Sequence, residues 1–375
     1  MLDGAMSQVR VLMSWLQHEA SRCAEPGALL MGLCQRLVAA GVPVHGATLT
    51  IATLHPLVAG WAFAWHHDRA SPLEAPRLHP MTGDAASPPS RAAPRGDGRL
   101  DLEIAFSDGA RQTLVVTTAP PGFDRAQRAL LRRAAGLLAA PLEILVARQT
   151  ASTLLTTYLG RRSGGRVLAG AVRRGDGETI NAVLWYSDLR GFTALSEHLP
   201  RDQIIALLNA HFERLAAPIK AFGGEVLKFM GDGLLAIFPT ETVGATAACD
   251  QALKAARGAR AGMAALNSER VAGGDPALVF GLALHLGDVM YGNIGAPDRL
   301  DFTVIGPTVN LASRLEALCK QLDCPVLTSA AFADACGEAL APLGSHALPD
   351  IPRPQRVYTL SELAPSARAV APNSV

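Results

Sequence analysis

Apolar residues recur at three- and four-residue spacing in QVRVLMSWLQHEASRC and PGALLMGLCQRLVAAG, so residues 7 to 40 are expected to form two amphipathic helices. The pattern then becomes β-branched and aromatic. GATLTIATL (46–54) and WAFAWHH (61–67) read as strands, and LDLEIAF and RQTLVVTTA flank SDG, a hairpin signature. Between these pairs, residues 70–99 are rich in Pro, Gly, Ser and Ala, which predicts a long loop or disordered insert.

A long helical stretch begins at Asp124. Apolar or small residues repeat at sevens in two stripes, Leu131, Leu138, Leu145, Ser152, Leu159 and Leu130, Leu137, Ile144, Ala151, Tyr158. Such heptads predict a coiled coil in a parallel dimer, with helices packed on their own domain as the alternative. Pro141 is expected to kink the helix or break its hydrogen bonding, and RRSGGRVLAG to end it and turn the chain.

From Ile180 strands alternate with amphipathic helices. NAVLWYSD is a strand, EVLKFM-GDG-LLAIF a hairpin, LVFGLALHLGDVMYGNIG one strand or two, and TVNLASRLEALCKQL a helix. This predicts an α+β domain around a central sheet. The expected divisions are 1–122 as a first domain, 123–177 as a helical linker, 178–362 as a second domain, and 363–375 as a flexible tail.

Composition narrows the function classes. A net charge of +1 offers no global field for nucleic acid or an anionic membrane. No run of about 18 uncharged apolar residues predicts a membrane span. The start of the chain, MLDGAMSQVRVLMSWLQ, does not read as a signal peptide. Six cysteines without CxxC or paired zinc spacing predict reduced thiols and a cytoplasmic location. His55, His66 and His67 lack a ligand spacing that would make them a metal site.

Candidate chemistry clusters in the second half. In WYSDLRGFT a strand ends at Asp188, Gly191 follows, and a helix opens at Phe192-Thr193. The free N–H groups of that turn suit a polyphosphate, and Asp188 suits a hard cation, although an Asp before a helix also serves as a cap. In KFMGDGLLAIF, Asp232 stands between two glycines at a hairpin tip, where it is either a turn residue or a second carboxylate converging on Asp188. Asn310 and Arg314 lie four apart on one helix face.

Together, SDLRGFT, GGEVLKFMGDGLLAIF, GLALHLGDVMYGNIG and DFTVIGPTVNLASRLE resemble the catalytic domain of class III adenylyl and guanylyl cyclases, over residues 178 to 360 or about half the chain. TLLTTYLGRRSGGRVLAG resembles the connecting element that often precedes such domains, and the order of elements before it resembles a GAF-type sensor whose ligand is unknown. Gly223-Gly224-Glu225 is followed by Val-Leu, which departs from the GG(D/E)EF loop of diguanylate cyclases.

The resemblance implies a ferredoxin-like central sheet flanked by helices. It implies two Mg²⁺ or Mn²⁺ ions per site, bound by Asp188, Asp232 and the carbonyl of Leu189, with the turn through Gly191, Phe192 and Thr193 receiving the phosphates. Lys228 and Thr303 match the purine-reading positions, Asn310 the ribose-orienting one, and Arg314 the one that stabilises the α-phosphate. Lys228 can donate to adenine N1 and Thr303 accept from the 6-amino group, whereas guanylyl members typically carry an acid at the Lys228 position, so ATP is expected over GTP. Thr at 303 resembles the subgroup in which bicarbonate stimulation is found. Each chain carries both sets, which implies two sites at a homodimer interface. Pro349 falls where the family often has a triphosphate-binding basic residue, with Arg353 nearby. The other readings are a module that binds nucleotide without turnover, and a guanylyl cyclase.

Overall fold

Alternation decides which side of each strand is buried. In the first half of the chain Leu100, Leu102 and Ile104 point inward while Asp101 and Glu103 stay exposed, the period-2 pattern of a sheet with one solvated face. The computed structural model describes residues 2–52, 58–69, 73–78 and 98–364. The chain divides into two units, 1–154 and 155–375.

The first unit holds α1 (Leu2–His18), α2 (Pro26–Ala39), β1 (Gly46–Ala52), β2 (Val58–His66), β3 (Leu73–Leu78), β4 (Arg99–Ala105) and β5 (Arg111–Thr117). The strands form an antiparallel sheet in the order β3-β2-β1-β5-β4. Strand β3 corrects the sequence reading, because residues 73–78 of the Pro-rich segment pair with β2. A strand at a sheet edge tolerates a proline such as Pro76, because it pairs with a neighbour on one side alone. The remainder of that segment, His55 and the tail from 365 lie outside the described residues.

Helix α3 (Arg125–Leu159) continues across Pro141, which lacks the N–H for a helix hydrogen bond but does not divide the helix. Its stripe Leu131, Leu138 and Leu145 is buried in the core of the first unit, with Leu130 and Leu137 packed against it. That apolar face is therefore covered by its own domain rather than by a second helix, while Ile144 and Tyr158 remain exposed. The long helix ends at Leu159, the chain breaks at Gly160 with φ +88°, and the RRSGG segment then lies in a helix of its own, α4 (Arg161–Leu168), close against the backbone of Leu155.

The second unit continues with β6 (Gly177–Leu189), α5 (Phe192–His198), α6 (Arg201–Ala221), β7 (Glu225–Met230), β8 (Gly233–Pro239), α7 (Ala245–Ala272) and β9 (Phe280–Ala296). Then come β10 (Arg299–Ile305), α8 (Pro307–Gln321), β11 (Val326–Ser329), α9 (Ala330–Ala335), β12 (Ala341–His346) and β13 (Gln355–Thr359). Elements α9 and β12 were not anticipated from the sequence, and GLALHLGDVMYGNIG is part of a single strand. The sheet order β9-β6-β8-β7 is antiparallel throughout and arises from a β-α-β-β-α-β succession, the ferredoxin-like arrangement. Strands β11, β13 and β12 extend it beyond β9, and β10 folds back on the end of β9.

Strand β6 is buried on both faces. Val183 and Trp185 pack in one core with Leu215 of α6 and Ala252 of α7, while Ile180, Ala182 and Leu184 pack in another with Ala312 of α8 and Val167 of α4. Among the described residues no helix is long and apolar enough to cross a membrane.

Two buried histidines make this core sensitive to acid. His211 continues the α6 stripe of Leu207 and Leu215, is fully buried, and neither ring nitrogen has a partner. Burial lowers its pKa to about 4. His285 faces Ser329 at 2.7 Å and is likewise lowered to about 4 by burial. Each ring stays neutral in the fold but takes a proton near pH 6.5 once unfolded, so stability is full above that pH and falls towards pH 4. The expected loss is about 3 kcal/mol per histidine. Thermal unfolding midpoints from pH 8 to 4 should show the decline, with a shallower slope for His211→Leu. An unchanged slope in that variant would contradict this origin.

Candidate active site

The even-numbered residues of β6 line the face covered by α8, and Asp188 ends that row at the strand terminus. The tight turn between β7 and β8 brings Asp232 to it. Gly231 takes a left-handed φ of +66°, which favours glycine. On the other side of Asp232, a Cβ on the buried Gly233 would stand 3.3 Å from Asp188 Oδ1.

The two carboxylates perturb each other. Asp188 has its pKa pushed up to about 6, first by burial, then by the charge of Asp232 and a hydrogen bond with it, against a lowering backbone hydrogen bond at Leu189. Asp188 Oδ1 is buried without a hydrogen-bond partner. A buried orphan oxygen beside a second carboxylate is costly to the protein alone. Hard oxygen donors of this kind fit Mg²⁺ or Mn²⁺. Among the described residues no group of three or more His, Cys, Asp or Glu is placed to hold an ion by itself.

Past Asp188 the chain turns through buried Leu189 and through Gly191, at φ +72°. Phe192 opens α5 and packs against the α6/α7 core, while Thr193 is exposed. Arg190 fastens this turn to α8. Its Nη2 donates to the carbonyls of Cys319 at 2.8 Å and Cys324 at 3.1 Å.

Lys228, half-buried on β7, forms an ion pair with Asp301 of β10. Thr303 lies two residues further along β10, so it shares a face with Asp301; it is buried and its Oγ1 has no partner. Asn310 and Arg314 sit one turn apart on α8, both exposed. Arg314 Nη2 donates to Asp350 Oδ2 at 2.7 Å. Asp350 follows Pro349 and takes φ +61°, and Arg353 is exposed in the same loop. The structure thus brings Asp188 to Asp232 and Lys228 to the strand of Thr303, and it partners both Lys228 and Arg314 with aspartates.

Helix α4 holds the hairpin in place. The Arg162 backbone N–H donates to Glu225 Oε1 at 2.7 Å, and Ser163 Oγ and Tyr291 Oη share a buried hydrogen bond of 2.8 Å. Glu225 has its pKa raised by burial despite the lowering hydrogen bonds from Arg162 and Ser163.

Sequence reasoning missed Asp301, Asp350, Arg190 and Glu316. Glu316 projects from α8 near the carboxylate pair. Its pKa is pushed up to about 7 by burial and by the charge of Asp188, with Arg190 lowering it and Asp232 raising it. A signal for it was present. Glu316 belongs to the stripe Ala312, Leu315, Cys319, so it is an acid at a position where helical periodicity calls for an apolar residue.

Residues 177–333 match the family described as the adenylate and guanylate cyclase catalytic domain. This stretch is a class III cyclase catalytic domain. All four motif segments fall within it, whereas Pro349, Asp350 and Arg353 lie beyond it. The cyclase domain is similar to adenylate cyclase 1 of Rhizobium meliloti, 31% identical over 162 residues that cover 43% of this chain and 24% of that protein. It is also similar to the adenylate cyclase of Anabaena cylindrica, 34% identical over 157 residues that cover 41% of this chain and 30% of that one. The chain thus spans about a quarter to a third of the length of these two relatives. A solved bacterial light-regulated adenylyl cyclase shares the fold, with a TM-score of 0.53 over 72% of this chain and 86% of its own at 22% identity.

Proposed function

We propose that the protein is an adenylate cyclase that converts ATP to 3′,5′-cyclic AMP and pyrophosphate. The observation that carries this reading is the convergence of Asp188 and Asp232, with one buried oxygen unpartnered, inside a cyclase domain. Asp188, Asp232 and the carbonyl of Leu189 would hold two divalent ions. When bound, these ions supply Lewis-acid neutralisation of the triphosphate. The turn through Gly191, Phe192 and Thr193 receives the phosphates. Asn310 orients the ribose so that its 3′-oxygen, giving its proton to solvent, attacks the α-phosphorus as the bond to pyrophosphate breaks. Arg314 donates to the α-phosphate as negative charge spreads over it.

Lys228 favours adenine, because its Nζ donates and adenine N1 accepts. The unpartnered Thr303 hydroxyl is available to accept from the 6-amino group. Exposed Phe229, Met290 and Ile305, on the strands around Lys228 and Thr303, support a homodimer whose interface completes the sites. The two helices and five-stranded sheet of the first unit support a GAF-like sensor for an unknown ligand. Six free cysteines support a reducing, cytoplasmic setting.

A second reading, nucleotide binding without turnover, is favoured by two features: Arg314 is held by Asp350, and proline stands at 349 where a basic residue is expected. Product analysis separates the readings. Purified chain with ATP or GTP and Mg²⁺ or Mn²⁺ is expected to yield cyclic AMP from ATP. Cyclic GMP from GTP in preference would overturn the base assignment. Nucleotide bound but unconverted under every condition would favour the second reading.

A further inference from the structure

We propose that Glu316 is a positioning residue for the carboxylate pair, lying behind Asp188 and strengthening its hold on divalent metal. This rests on the cyclase reading above.

The strand register puts Glu316 there. Asp188 of β6 pairs with Gly281 of β9, and the carboxylate of Glu316 lies over Gly281. Any side chain at 281 would meet it, because a Cβ there would stand 2.3 Å from Glu316 Oε1 and 3.2 Å from Cys319 Cβ. The absence of a side chain at 281 is therefore what lets an acid on α8 reach the strand position beside Asp188. Cross-strand neighbours stand about 5 Å apart, so the charge of Glu316 is felt at Asp188 without Glu316 being a metal ligand.

Arg190 flanks the same spot. It belongs to the turn after Asp188 and is tied to the carbonyls of Cys319 and Cys324 at the end of α8. Its guanidinium adds positive charge close to where dications would bind. Asp323 accepts from Arg190 Nη1 at 3.5 Å on the exposed side, and the charge of Glu316 acts on the same cation from α8. The same helix carries Asn310 and Arg314. A unit negative charge about 5 Å from a dication contributes on the order of tenfold in affinity even when screened as in water.

The test is Mn²⁺ binding to the full chain loaded with 3′-deoxy-ATP, which lacks the attacking hydroxyl, with free Mn²⁺ read by electron paramagnetic resonance. Glu316→Gln should raise the Mn²⁺ Kd by about tenfold. Gly281→Ala keeps the charge but displaces the carboxylate, and should weaken binding in the same direction; it also serves if the first variant does not fold. With ATP, saturating Mn²⁺ should restore most of the kcat of Glu316→Gln, which a merely structural defect would not allow. Wild-type chain that binds no Mn²⁺ would overturn the cyclase reading of the site. Wild-type binding matched within twofold by both variants would overturn the role of Glu316 alone.

Discussion

Asp188→Asn is expected to abolish cyclic nucleotide formation and, at the same time, to make the metal-free chain more stable. The two effects have one cause. Burial and the neighbouring Asp232 disfavour the ionised carboxylate of Asp188, raising its pKa to about 6 from an ordinary value near 4. A carboxylate with a raised pKa binds protons more tightly in the fold than in the unfolded chain. The penalty is therefore absent below the unfolded pKa and fully present once the pH exceeds about 6. At pH 8 the charged group costs the fold about 1–3 kcal/mol, which an amide of the same shape removes. The thermal midpoint of the metal-free variant should rise by a few degrees. Activity should fall on the order of 10³-fold, because an amide cannot supply the charge that holds a divalent ion. Added Mn²⁺ should stabilise the wild-type chain and leave the variant nearly unchanged. A variant that is both inactive and less stable at pH 8 would show that Asp188 is structural.

Arg314→Ala should lower kcat about 10³-fold while changing the KM for ATP much less. A guanidinium that meets charge developing on the α-phosphate acts in the transition state, so its loss appears in kcat. Arg314→Lys should recover only a small part, since an ammonium lacks the planar fork of donors. The side chain is exposed on α8 and its observed partner is Asp350. Removal leaves only the exposed Asp350 carboxylate without its partner, and the fold should persist with a change of at most about 1 kcal/mol. A loss confined to KM, or less than tenfold in kcat, would assign Arg314 to ground-state binding instead.

Much of this was readable along the chain. The longer helices, the hairpin around Asp232, the strand ending at Asp188 and the placing of Asn310 and Arg314 on one helix face followed from local periodicity and spacing, because such patterns reflect the backbone geometry of the element itself. Failures came where an element's fate depends on what lies across from it. Residues 73–78 look like linker by composition, yet they pair at the edge of a sheet, where an unpaired outer side tolerates proline. The heptads of α3 cannot say whether the facing surface is a second helix or the sheet of the first unit, since both demand the same apolar stripe.

The sequence by itself determined the α+β class, the cyclase motifs and the residue types available for chemistry, because these depend on order and local spacing. Tertiary structure alone decided the partners. It paired Lys228 with Asp301 and Arg314 with Asp350, left Thr303 Oγ1 and Asp188 Oδ1 without partners, and set Glu316 over Gly281 beside Asp188. The physical reason is that electrostatic and hydrogen-bonding contacts depend on register between distant strands and on helix placement. No local pattern encodes that a residue at 316 and one at 188 meet over a glycine at 281.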